Sequence, residues 1–126
     1  MSPEKTQHLF DSFPRLYRGR ELSASASLMA QGFECEDGWF ALICTLSSRL
    51  EDIAHAEGRQ PQSDDWPEAL QVKEKLGRLR FYTRHTSPTM HAAIADTQAL
   101  SETTCEVCGQ SNARQVGNRT RCGRHA

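Results

Sequence analysis

Four residues near the carboxyl end carry the strongest chemical signal in the sequence. Cys105 and Cys108 flank Glu106 and Val107, and Gly109 follows at once. Thirteen residues then separate Cys108 from Cys122, which forms a second spaced pair with His125. A pair of ligands two residues apart makes a knuckle that presents both to one metal ion, and a second pair after a short hairpin completes a tetrahedron. Thiolate and imidazole are borderline-soft donors, so the set suits one Zn²⁺. Because four protein ligands fill the sphere, such a site is structural rather than catalytic. Gly109 supplies a flexible backbone behind Cys108, and Gly117 with Asn118 suits a turn between the pairs. The competing readings are a redox-active Cys-x-x-Cys, which needs no second pair, and coincidence. Cys44 reads as a small buried hydrophobe and Cys35 as a free thiol in a loop. His8, His55, His85 and His91 are scattered, with no phosphate loop, Ser-His-Asp arrangement or carboxylate cluster beside them.

The elements that must position this site are legible in part. Ser2-Pro3-Glu4 has the chemistry of a helix start, with Leu9, Phe10 and Phe13 inward and Pro14 as its limit. Residues 18–36 read as an irregular connection. Asp37 is expected to cap the core helix, whose stripe of Trp39, Leu42, Ile43, Leu46, Leu50 and Ile53 ends before Gly58. Residues 59–67 read as a polar loop. From 70 to 83 the pattern favours a β-hairpin turning near Gly77, with Leu79 and Phe81 on one face and Arg78, Arg80 and Tyr82 on the other. A short helix over 70–77 also fits. Ser87-Pro88 opens a further helix with Met90, Ile94, Thr97 and Leu100 or Ser101 inward. The expectation is a small α+β domain, with two or three helices on a hairpin over residues 1–104 and a zinc-binding knuckle over 105–126.

Composition bounds the function. The 126 residues are 37% hydrophobic and 25% charged, which suits one domain and excludes a coiled-coil rod. The longest apolar run is Trp39 to Cys44, too short to span a bilayer. The first ten residues lack the apolar stretch of a secretory signal, so a cytoplasmic protein with reduced thiols is expected. The net charge of −1 is unevenly placed. Residues 34–68 carry nine acids against two arginines, and residues 69–126 carry nine bases against four acids. Such polarity steers a charged partner, unless the two halves neutralise each other in the fold.

Gly38-Trp39-Phe40, the run Gln71 to Tyr82, Cys105-Glu-Val-Cys108-Gly109 and the final Cys122-x-x-His125 together resemble a family of small phage and prophage proteins. These share a GWF … QVKEKFGxLRFY … CExCG … CxxH pattern. The family usually has Phe where this chain has Leu76, which implies a smaller core side chain, and the approach to Cys122 is shorter and more basic here. The resemblance implies a zinc-bearing phage accessory protein and supplies no molecular activity.

Three classes of function follow. The first is a non-enzymatic, zinc-stabilised binding module that modulates or inhibits a host protein or nucleoprotein complex, such as a defence system. The second is a nucleic-acid binder using the finger arginines and Lys73, Lys75, Arg78, Arg80, Tyr82 and Arg84, with aromatics interleaved among bases. The third, a zinc-finger nuclease, lacks a metal-activating His-Asn-His arrangement. No membrane partner is expected.

Overall fold

The central element is the hairpin. In the computed structural model, which describes residues 1–23 and 25–126, strands β2 (Glu68–Lys75) and β3 (Arg78–Arg84) run antiparallel. They are joined at Leu76-Gly77, both at positive φ (54° and 81°), as a two-residue type I′ turn requires. The register pairs Val72 with Phe81 and Glu74 with Leu79 on the inner face, and slips once between Ala69 and Gln71. A two-residue strand β1 (Phe33–Glu34) adds to β2 in parallel, giving the order β1-β2-β3. That strand lies inside the stretch expected to be irregular, which also contains two single turns of 3₁₀ helix at Arg18–Glu21 and Met29–Gln31.

Three helices complete this layer. Helix α1 (Pro3–Ser12) starts as expected, its first amides capped by Ser2 Oγ through the Lys5 N–H. Helix α2 (Phe40–Ala56) buries Ile43, Leu46 and Leu50, with Trp39 completing the stripe; Leu42 and Ile53 are half-buried beside them. Asp37 does not cap it. It lies in a 3₁₀ turn over Asp37–Trp39, and its carboxylate accepts the Ser2 N–H at 2.8 Å, tying α1 to the start of α2. Helix α3 (Pro88–Ser101) begins at the Ser87 cap, packs against α2 and β3, and turns Met90, Ala93, Ile94, Thr97 and Ser101 inward. Leu100 stays exposed.

The open edge of β3 is closed by this helix. Ser101 Oγ accepts the Leu79 N–H at 2.9 Å and Gln98 Oε1 accepts the Phe81 N–H at 3.1 Å. On the far side, the amino group of Met1 donates to the carbonyls of Phe33 and Cys35. The core holds more than the sequence pattern marked out: Leu16, Tyr17, Met29 and Trp66 are fully or almost fully buried. Trp66 thus makes the expected polar loop a core-packing segment. Leu76 is the opposite case. At the tip of the turn and 63% exposed, it belongs to no core, contrary to the expectation of a core side chain at that position.

Candidate metal centre

The last 22 residues form a second, smaller layer. Two three-residue strands, β4 (Arg114–Val116) and β5 (Arg119–Arg121), turn at Gly117-Asn118 as the sequence suggested. They carry the two knuckles on one end. The Cys105 knuckle is closed by its own backbone, the Gly109 N–H donating to Cys105 O at 2.8 Å and the Cys105 N–H to Gln110 O at 2.9 Å. In the second knuckle the His125 N–H donates to Cys122 O at 3.0 Å.

These loops bring all four expected ligands together. The sulfurs of Cys105, Cys108 and Cys122 and a ring nitrogen of His125 lie within 4.8 Å of one another. Cys108 Sγ is 3.8 Å from Cys122 Sγ, and His125 Nδ1 is 3.7 Å from Cys105 Sγ and 3.1 Å from Cys122 Sγ. A tetrahedral ion with bonds of about 2.3 Å to sulfur and about 2.0 Å to nitrogen would set sulfurs about 3.8 Å apart and sulfur about 3.5 Å from nitrogen. The donor set therefore fits a metal ion of that size. Burial works against a Cys105 thiolate. Amide N–H groups of Cys108, Cys122 and Val107 directed at the sulfur outweigh it and lower the thiol to about 6. The Gln110 amide favours the Cys108 thiolate, but burial and the neighbouring Cys122 and Cys105 sulfurs leave that thiol raised. Cys35 and Cys44 take no part in the cluster. The remaining histidines lie elsewhere: His8 packs tilted against Phe40, His55 meets Trp66 edge-on, His91 hydrogen-bonds Thr86, and His85 lines a cleft with Arg18 and Glu68.

Three sequence motifs meet where this layer sits on the core. Gly38 approaches the first knuckle so closely that its N–H donates to Glu106 O at 2.7 Å, and Trp39 Nε1 donates to Thr104 O at 2.9 Å. From the hairpin tip, Gly77 O accepts the Thr120 hydroxyl at 2.6 Å. Glu74 Oε2 accepts the Gly77 N–H at 2.8 Å, and its other oxygen pairs with Arg119 at 2.7 Å. Glu106, only 1% exposed, is the hub. Its carboxylate accepts the Glu36 N–H at 3.1 Å and pairs with Arg121 at 3.2 Å and Arg119 at 3.6 Å. A buried charge is tolerable only with such a full set of partners. This residue was missed by sequence reasoning. The available signal was an acid between two cysteines, opposite two arginines on the coming strand.

The basic residues divide into two groups. Arg119 and Arg121 are engaged at Glu106, Glu74 and Glu36. Arg84 is engaged by buried Glu68, which also holds Arg18, in the cleft lined by Arg15, Arg18, Glu68 and His85. Arg84 therefore stands apart from the other residues expected to face a partner. Lys73 pairs in register with Arg80, and Lys75 with Arg78, all on the outer face of the hairpin, with Tyr82 beyond them. No family model, curated protein sequence or solved structure matches the chain.

Proposed function

We propose that the protein is a non-enzymatic binding module whose carboxyl-terminal layer is ordered by one structural zinc ion. The reading rests chiefly on the approach of Cys105, Cys108, Cys122 and His125 Nδ1 to tetrahedral spacing. Four protein donors leave no position for water or substrate, so the ion would organise the chain rather than activate a nucleophile. Zinc binding to comparable small sites is worth roughly 10–16 kcal/mol. That is ample for a layer whose own apolar cluster comprises only Cys105, Ala113 and Cys122, with Val107 beside it. The motif resemblance to small phage and prophage proteins supports a host protein or nucleoprotein complex as the bound partner.

Metal analysis of the purified protein tests the reading directly. One zinc per chain is expected. Cys108→Ser should lower the content well below stoichiometry and release the amides of residues 105–126 to hydrogen exchange, while those of α2, β2 and β3 stay protected. A native protein without stoichiometric metal, or a Cys108→Ser variant that keeps its metal and tail protection, would overturn it.

A further inference from the structure

The face of the hairpin turned away from the core gathers positive charge that the fold leaves largely unanswered. Cross-strand pairing puts Lys73 directly opposite Arg80 and Lys75 directly opposite Arg78, so like charges lie side by side. Among the described residues, Lys73, Lys75 and Arg80 have no carboxylate within 4.0 Å. Arg78 alone has one, a long 3.7 Å contact to half-exposed Glu102. The Nε atoms of Arg78 and Arg80 are buried against their neighbours with no hydrogen-bond acceptor. Glu34, in register with Lys73 on the edge strand, is directed to Gln71 Nε2 at 3.1 Å instead. Glu74 lies on the opposite face, held by Gly77 and Arg119. Such a cluster is self-repelling, and an anion laid across it removes the repulsion.

Two exposed side chains bound the cluster. Tyr82, 46% exposed, follows Arg80 along β3 on the same face, and Leu76 projects from the tip. Leu76 is largely exposed, and its left-handed backbone is one that leucine disfavours, so folding alone does not explain it. The cations repeat every second residue, about 7 Å along the strand, and the two rows stand about 5 Å apart. The patch is long enough for successive phosphates and one nucleic-acid backbone wide.

We propose that this face binds a single-stranded nucleic acid, with phosphates over Lys73, Lys75, Arg78 and Arg80, a base stacked on Tyr82 and apolar contact from Leu76. The inference deepens the binding-module reading and rests on it. Aromatic stacking accepts any base, so binding would be tolerant of sequence. An acidic peptide would satisfy the charges but would gain little from an exposed tyrosine flush with them.

The test is fluorescence anisotropy of the full, metal-loaded chain with a labelled oligothymidylate of about twelve nucleotides. Four neutralised phosphates on a single strand give a slope of log K against log salt near −2.8, so affinity should fall about 50-fold from 50 to 200 mM salt. Lys75→Gln with Arg80→Gln should halve that slope, to about −1.4. Tyr82→Ala should weaken binding about 5- to 150-fold with the slope unchanged, and Tyr82→Phe should restore it. Absence of binding by metal-replete protein would overturn the proposal, as would a slope untouched by the double variant. Equal competition by polyglutamate would assign the face to an acidic protein, and tighter binding of a duplex would assign it to double-stranded nucleic acid; either refutes the proposal. Metal content and circular dichroism of each sample separate this failure from failure of the zinc reading. A metal-free native protein sinks the latter, whereas metal-replete protein that ignores the oligonucleotide sinks only this inference.

Discussion

Gly38→Ala isolates the joint between core and knuckle. A β-carbon at Gly38 would stand 2.2 Å from the Cys105 carbonyl oxygen and 2.4 Å from the Glu106 carbonyl carbon and oxygen. All are backbone atoms of the knuckle, so no side chain can rotate away and the two layers must part. Gly38 is not in the left-handed region, so intrinsic backbone preference would not oppose alanine and the whole penalty is steric. Forcing one extra carbon into a packed contact costs about 1–3 kcal/mol. Stretching the 2.7 Å bond from the Gly38 N–H to Glu106 O removes a further 0.5–1.5 kcal/mol or so. The expected loss is about 2–4 kcal/mol, equivalent to a Tm lower by about 8–16 °C for a chain of this length. Urea unfolding with and without a chelator provides the assay. Once metal is removed the knuckle is free to move off Gly38, so the penalty should shrink to less than half. A metal-loaded variant within 0.5 kcal/mol or so of the parent would refute the reasoning, as would equal losses in both conditions.

Other expectations concern the core and the turn. Leu46→Ala, at a buried position of α2, should cost about 2–5 kcal/mol in denaturant unfolding, and an unchanged midpoint would remove α2 from the core. Leu76→Asn should raise stability by about 1 kcal/mol, because asparagine accepts the left-handed conformation of a type I′ turn that leucine resists. Burial pushes the Cys35 thiol up to about 12 and raises the Tyr17 hydroxyl further, against its hydrogen bond to Ser47. Groups with raised folded-state pKa values stabilise fully below their unfolded values and lose that contribution as pH rises through the folded ones. The contribution of these two groups should therefore be constant near neutrality and decline from about pH 9 upward, and Cys35 should resist alkylation at pH 8 until the chain unfolds.

Local chemistry made much of this architecture legible. Ser2-Pro3 and Ser87-Pro88 state helix starts within three residues, and the I′ turn is marked by Gly77. The ligand set is legible for the same reason, since each knuckle is a local structure. What escaped was set by distant partners. Strand β1 exists because Phe33 and Glu34 reach a strand some forty residues away, and two residues carry no period of their own. Asp37 looked like a cap, yet the amide of Ser2 claims it. Trp66 sits among Asp64, Asp65 and Pro67, and only its neighbours in space reveal its burial. Arg84 shares the alternation of Arg80 and Tyr82, but a buried Glu68 across the ladder takes it out of the exposed group.

The closed β3 margin of the three-stranded sheet constrains how the protein associates with others. With Ser101 and Gln98 on the outward amides of Leu79 and Phe81, β3 offers neither of those donors to an incoming strand. At the other margin the Met1 amino group occupies the carbonyls of Phe33 and Cys35. Edge-to-edge pairing is the ordinary route by which small β proteins aggregate, swap strands or capture peptides by augmentation. Here that route is obstructed along β3 by acceptors drawn from helical residues. Association through this strand must then use its face and side-chain chemistry, and the hairpin can stand exposed there without templating fibrils.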